Sequence, residues 1–230
     1  MRIYPHIEAV IFDKDGTLFH YADTWGLWCR KVLGVLTNDD LNVAREMAAA
    51  VGYDWDADRF EAGSLIVGGA ADEINEIWHG YLPQISIAEI DEICMRFIAD
   101  LPAVPVCDLK AYLSNLKAMG LKLGVATNDF EMGAISQLKS EGILELFDFV
   151  AGCDSGFGAK PGPGQILGFC EKMGLSPEKV AMVGDSNHDL EAGRAAKMGL
   201  NVAVLTGPAE KTDLLELYDC IFPDLGQLLL

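Results

Sequence analysis

Basic side chains are scarce. Lys and Arg number 17 against 35 Asp and Glu, a formal net charge of −18 over 230 residues. Binding to phosphate backbones or anionic lipid draws on an excess of Lys and Arg, so this balance argues against nucleic-acid and membrane-surface partners. Cysteine supplies no framework either: Cys29, Cys94, Cys107, Cys153, Cys170 and Cys220 are scattered, with no CxxC pair and no histidine spacing that would hold zinc. Buried free thiols in a reducing cytosol are the expectation. No run approaches the roughly 18 apolar residues of a membrane helix. The short apolar run Ala9-Val10-Ile11-Phe12 ends at an aspartate and has neither the length nor the cleavage pattern of a signal peptide. Internal repeats and low-complexity segments are also missing. A cytoplasmic monomer or homodimer is expected.

What is present is globular in character, with half the residues hydrophobic and 23% charged. From about residue 105 onward, apolar runs alternate with segments of helical period. Strands are predicted at 121–126, 147–151, 180–183 and 201–205, and residues 7–12 would join the same sheet. Leu109, Tyr112, Leu113, Leu116 and Met119 repeat at the three- and four-residue steps of a buried helical stripe, which Gly120 closes. Alternation of this kind predicts an α/β fold, an open, doubly wound parallel sheet with crossover helices.

Residues 19–104 break that rhythm. Val43, Met47, Ala50 and Val51 form one helical face, Ile74, Ile77, Trp78 and Tyr81 another, and Ile90, Ile93, Cys94 and Phe97 a third. A helical insert over 19–104 is expected between two pieces of the sheet domain, 1–18 and 105–230. Pro102 and Pro105 mark its return. Trp25, Trp28, Trp55 and Trp78 are expected to pack its core.

Four segments carry chemistry, and each has an ordinary structural alternative. Asp13-Lys14-Asp15-Gly16-Thr17 follows the first strand, where one carboxylate could attack covalently and the other shuttle a proton, with Gly16 permitting a sharp turn. The same residues suit a plain turn or a calcium-type loop. Thr127, Asn128 and Asp129 end a second strand; the Thr127 hydroxyl and the Asn128 amide could donate to a phosphoryl oxygen, or any of the three could cap a helix. Lys160, between Ala159 and Pro161, could hold a phosphate or lie solvated on a loop. Asp185 and Asp189, in Gly184-Asp185-Ser186-Asn187-His188-Asp189, offer the hard oxygens Mg²⁺ prefers, or merely an acidic helix start. All four segments fall at the carboxyl ends of separate predicted parallel strands, where open α/β sheets place ligands. Independent turns and caps have no reason to gather there.

In that order the segments DKDGT, ATND, AKPGP and GDSNHD resemble the four motifs of the haloacid-dehalogenase (HAD) superfamily of hydrolases, in its phosphoglycolate-phosphatase-like branch. The resemblance spans the whole sheet domain. It implies a HAD-like Rossmann fold with an α-helical cap where the insert lies. It also implies a Mg²⁺-dependent phosphatase of a small phosphorylated metabolite. Asp13 would be the nucleophile, passing through an aspartyl phosphate, and Asp15 the acid and base. Thr127 and Lys160 would hold the transferring oxygens, with Gly16, Thr17 and Asn128 binding substrate beside them. Asp13, the Asp15 carbonyl and Asp185 would bind the metal, with Asp189 nearby. The physics agrees, because an anion attacking a phosphate needs its repulsion neutralised.

Asp15 itself separates this chain from the dehalogenases, which displace halide without an acid. The insert's single lysine, Lys31, has no context for the imine chemistry of a phosphonatase. A sugar-phosphate mutase shares the motifs, and a silent binding or regulatory protein on the same scaffold is the other alternative. Asp129 adds negative charge where many relatives carry a small or basic residue. In the insert, which is expected to close over the site, Gly68 and Gly69 form a candidate substrate loop or an ordinary interhelix turn.

The insert is the more acidic part, with 15 Asp and Glu against 5 Lys and Arg in residues 19–104. A leaving group carrying its own carboxylate would want an Arg or Lys partner. A leaving group that is neutral or hydroxyl-rich, such as a sugar or polyol, is therefore expected.

Overall fold

The computed structural model describes residues 4–61, 63–68, 71–98 and 101–228. It divides into two compact units, Met1–His20 with Ala103–Leu230, and Tyr21–Pro102. The first strand, β1 (Ala9–Phe12), opens the larger unit.

The second unit begins with a π-helical turn, Ala22–Gly26, and continues with α1 (Leu27–Leu36) and α2 (Leu41–Ala50). A short antiparallel pair follows, β2 (Tyr53–Asp54) with β3 (Arg59–Phe60). Then come α3 (Leu65–Gly68), α4 (Ala71–Tyr81) and α5 (Ile87–Ile98). Its core joins Trp28, Leu33, Met47, Tyr53, Trp78 and Ile90. The tryptophans are packing residues: Trp28 and Trp78 are buried, and Trp25 and Trp55 pack against the cluster. The indoles of Trp28 and Trp78 are satisfied locally, Trp28 Nε1 donating to Cys94 O at 3.2 Å and Trp78 Nε1 to Met47 O at 3.1 Å. Two expectations need correction. Met47 and Val51 are buried and Val43 packs against them as expected, but Ala50 is only half-buried, Ala44 and Ala48 completing the face of α2 in its place, and Tyr81 is exposed.

The chain returns through α6 (Leu109–Ala118), β4 (Lys122–Ala126), α7 (Glu131–Ser140) and β5 (Phe149–Ala151). It then runs through α8 (Gly164–Met173), β6 (Val180–Gly184), α9 (Asn187–Ala196), β7 (Leu200–Val204) and β8 (Cys220–Phe222). The six strands pair in parallel in the order β5-β4-β1-β6-β7-β8. This is a doubly wound Rossmann-like sheet with an inserted helical unit. Strand β1 is buried throughout because both faces are covered. Val10 and Phe12 pack with Leu113, Leu116 and Leu138 on one side. Ala9 and Ile11 pack with Ile166, Phe169 and Ala192 on the other. From β1 the chain winds outward through β4 and β5, then crosses to β6 and winds the other way. That reversal leaves a crevice at the carboxyl ends of β1, β4 and β6. Among the described residues no helix is long and apolar enough to cross a membrane.

Candidate active site

Two strand ladders run directly into the crevice. Asp13 N donates to Val183 O at 2.9 Å, extending the β1–β6 ladder by one residue. Thr127 N likewise donates to Ala151 O at 3.0 Å, extending β4–β5. After Asp13 the chain turns back on itself: the Lys14 carbonyl accepts from Leu18 N at 2.9 Å and Phe19 N at 3.1 Å. Gly16 sits in that turn at φ +85°, a conformation side chains disfavour.

Lys160 bridges the acidic cluster. Its Nζ stands 2.5 Å from Asp13 Oδ1 and 2.6 Å from Asp189 Oδ1, and all three side chains are buried. The other Asp189 oxygen closes a capping box at the start of α9, accepting from Ser186 N at 3.0 Å and Ser186 Oγ at 2.6 Å. Asp185 accepts a hydrogen bond from Thr17 Oγ1 at 3.1 Å. Asp13, Asp185 and Asp189 each present a carboxylate oxygen within 4.8 Å of the others. Three hard oxygens with no thiolate or imidazole among them suit a hard dication such as Mg²⁺. The electrostatics agree. Burial pushes the Asp13 carboxyl up to about 6 against the pull of Lys160, with Asp189 and Asp15 adding repulsion. Burial, Asp13 and Asp189 push Asp185 well above the carboxylate range. Burial alone would lower the Lys160 ammonium, but Asp13 and Asp189 reverse that and raise it. A cation among these groups would relieve the crowding.

The expected residues thus converge, but not all on the expected tasks. Asn128 is engaged at both ends by the Lys160 backbone: its Nδ2 donates to Lys160 O at 2.9 Å and its Oδ1 accepts from Lys160 N at 2.8 Å. It clamps the lysine loop, where substrate binding was expected. The Thr17 hydroxyl is directed at Asp185, and Thr127 Oγ1 accepts from Asp129 N at 3.1 Å. The Asp15 carboxylate lies outside the three-carboxylate group; its carbonyl was the expected ligand. Gly68 ends the four-residue helix α3 and is not in a loop, because the apolar run Leu65-Ile66-Val67 closes a helical turn. Gly69 lies outside the described residues.

Sequence reasoning also missed several residues. Lys14, inside the first segment, is fully buried, so Lys160 is not the only cation the motifs supply. Gln165 Nε2 donates to Thr127 O at 2.9 Å, fixing the end of β4. Thr206 Oγ1 donates to Gly16 O at 2.6 Å, and Gly207 lies so near that a Cβ there would stand 1.7 Å from Asp185 Oδ2. A Thr-Gly-Pro turn far from the motifs carries no signal of this.

Parallel strands that deliver carboxylates and a lysine to one crevice define an α/β enzyme with an acidic, cation-bridged centre. A model of the haloacid dehalogenase-like hydrolases matches residues 7–197, and the chain belongs to that family. It is 30% identical over 231 residues to the phosphoglycolate phosphatase of Neisseria meningitidis, spanning 95% of this chain and 88% of that protein. Among solved structures, a predicted phosphoglycolate phosphatase from Haemophilus somnus superposes with a TM-score of 0.70 at 22% identity, covering 96% of this chain and 95% of that one. The β-phosphoglucomutase of Clostridium difficile gives 0.64 at 19% identity, covering 96% and 93%. At these identities the two structures share the fold alone.

Proposed function

We propose that the protein is a Mg²⁺-dependent, cytoplasmic phosphatase of small phosphomonoesters that works through an aspartyl phosphate on Asp13. The observation that carries this is the buried Lys160 bridge between Asp13 and Asp189, set against Asp185. A lysine so placed holds Asp13 in one orientation and meets the charge of an incoming phosphate. Asp13 attacks phosphorus while the bond to the leaving oxygen breaks, and Asp15 gives that oxygen its proton. Water then attacks the aspartyl phosphate, Asp15 takes the water's proton, and the bond from phosphorus to Asp13 breaks. Asp13, Asp185 and Asp189, with the Asp15 carbonyl, would hold Mg²⁺. When bound, the ion would offset charge on the phosphoryl oxygens. Asn128 keeps Lys160 in register. The six free cysteines agree with a reducing compartment.

The leaving group we assign is neutral or hydroxyl-rich. Within the insert Arg30, Arg45 and Arg59 are already ion-paired with Asp58, Asp56 and Asp54, and the Arg96 guanidinium lies over the Phe97 ring. Apart from Lys31, little basic charge is left there for a second anionic group. The name of the Neisseria relative favours 2-phosphoglycolate instead. A phosphate-release panel with Mg²⁺ decides between them, comparing sugar and polyol phosphates with 2-phosphoglycolate. Asp13→Asn should abolish release, and full turnover by that variant would remove the assigned nucleophile. A requirement for a sugar bisphosphate activator would show a mutase.

A further inference from the structure

The first segment holds two carboxylates, and each is met by a different buried lysine. Lys160 holds Asp13; Lys14 holds Asp15. The Lys14 side chain is fully buried, with Nζ 2.6 Å from Asp15 Oδ2, 3.3 Å from Asp129 Oδ2 and 2.5 Å from Gln137 Oε1. An ammonium has three N–H donors, and these three acceptors account for all of them. Lys14 therefore has no donor left for substrate. Burying an ammonium is costly unless it is fully paired, so the arrangement must hold as a unit.

The partners are themselves fixed. Asp129 Oδ1 accepts from Phe130 N at 2.7 Å, and Gln137 is buried on α7. The network therefore ties the loop after β1 to the helix after β4. Its effect falls on one atom: Asp15 Oδ2 is taken by Lys14, while Asp15 Oδ1 is buried with no hydrogen-bond partner. A buried carboxylate oxygen without a partner is costly, and marks a place where a ligand group completes the bonding.

We propose that Lys14 is a positioning residue for proton transfer: braced by Asp129 and Gln137, it locks Asp15 Oδ2 and presents Asp15 Oδ1 to the leaving-group oxygen. This rests on the assignment of Asp15 as acid and base. It also gives Asp129 a task, the counter-ion that lets a lysine be buried beside Asp15.

The test exploits the leaving group. An alkyl phosphate needs a proton on its departing oxygen, and p-nitrophenyl phosphate does not. Values of kcat/KM, which report the step that releases the leaving group, are measured for Lys14→Met, Lys14→Met/Asp129→Asn and Asp15→Asn. Both Lys14 variants should lose roughly 10²–10⁴-fold on the best alkyl substrate, the span of acid catalysis, and less than about tenfold on p-nitrophenyl phosphate. The double variant, which no longer strands the Asp129 charge, should regain part of the melting temperature lost by Lys14→Met without regaining alkyl turnover. Equal losses on the two substrates, or alkyl turnover restored along with stability, would overturn the proposal. If Asp15→Asn shows the leaving-group dependence and the Lys14 variants do not, only the inference fails. If Asp15→Asn lacks it, the acid assignment falls and takes the inference with it.

Discussion

A Cβ placed on Gly16 would stand 2.4 Å from Asp185 Oδ2, well inside contact distance. The turn that follows one strand is thus pressed against the carboxylate that ends another. Gly16→Ala would force the two apart in a backbone already at φ +85°. Displacing a site group by about an ångström costs on the order of 10²-fold in rate, and that is the expected fall in kcat. Steady-state kinetics with a melting curve checks it; unchanged kcat would mean that Asp185 can move without consequence.

Asn128→Ala separates clamping from substrate binding. Loss of its two hydrogen bonds to the Lys160 backbone should loosen the lysine loop, lowering kcat with KM little changed. The stability cost should be about 1–3 kcal/mol by chemical denaturation. A raised KM with wild-type kcat would return Asn128 to the substrate.

Lys160→Met removes the cation from between two buried carboxylates. Stranding them should cost about 3–5 kcal/mol and appear as a lower denaturation midpoint. Turnover should fall at least roughly 10²–10³-fold, the usual effect of deleting one preorganised charge from a site. Adding Asp189→Asn should recover part of the stability and none of the turnover.

The pH dependence follows from Asp13, whose carboxyl is pushed from its ordinary 3.8 up to about 6 by burial. Between those values the cation-free native chain binds more protons than the unfolded one. Its stability should therefore fall as pH rises from about 4 to about 6 and then level off, so far as this group decides it. A dication competes with those protons. The rise in melting temperature given by saturating Mg²⁺ should be small at about pH 5 and larger at about pH 8. A shift independent of pH would argue against the three-carboxylate group as the metal site.

Much of the sheet was legible because strands buried on both faces are written as short apolar runs. The runs at 7–12 and 121–126 contain β1 and β4, starting two residues and one residue early, and the run at 180–183 stops one residue short of the end of β6. The strand Cys220–Phe222 left no such mark: three half-buried residues at the sheet edge have no periodicity to detect. The pair Tyr53–Asp54 and Arg59–Phe60 is shorter still, and it forms because Tyr53 and Phe60 reach the insert core. The turn at Gly68 was read from its glycines, whereas the apolar residues before it decide the helix.

The sequence alone determined the class of fold and the list of polar groups at the strand ends, because strand alternation and motif order are local properties of the chain. Which group meets which was left to the tertiary structure. Lys14 looks like a surface lysine between two aspartates until a parallel sheet brings Asp129 and Gln137, the latter 123 residues away, against its ammonium. Asn128 looks like a ligand until it meets the Lys160 backbone 32 residues on. Burial and pairing of charge depend on three-dimensional proximity, and in a parallel sheet neighbouring strand ends come from distant parts of the chain. The division of labour between two lysines, one for each aspartate of the first segment, was therefore decided only by folding.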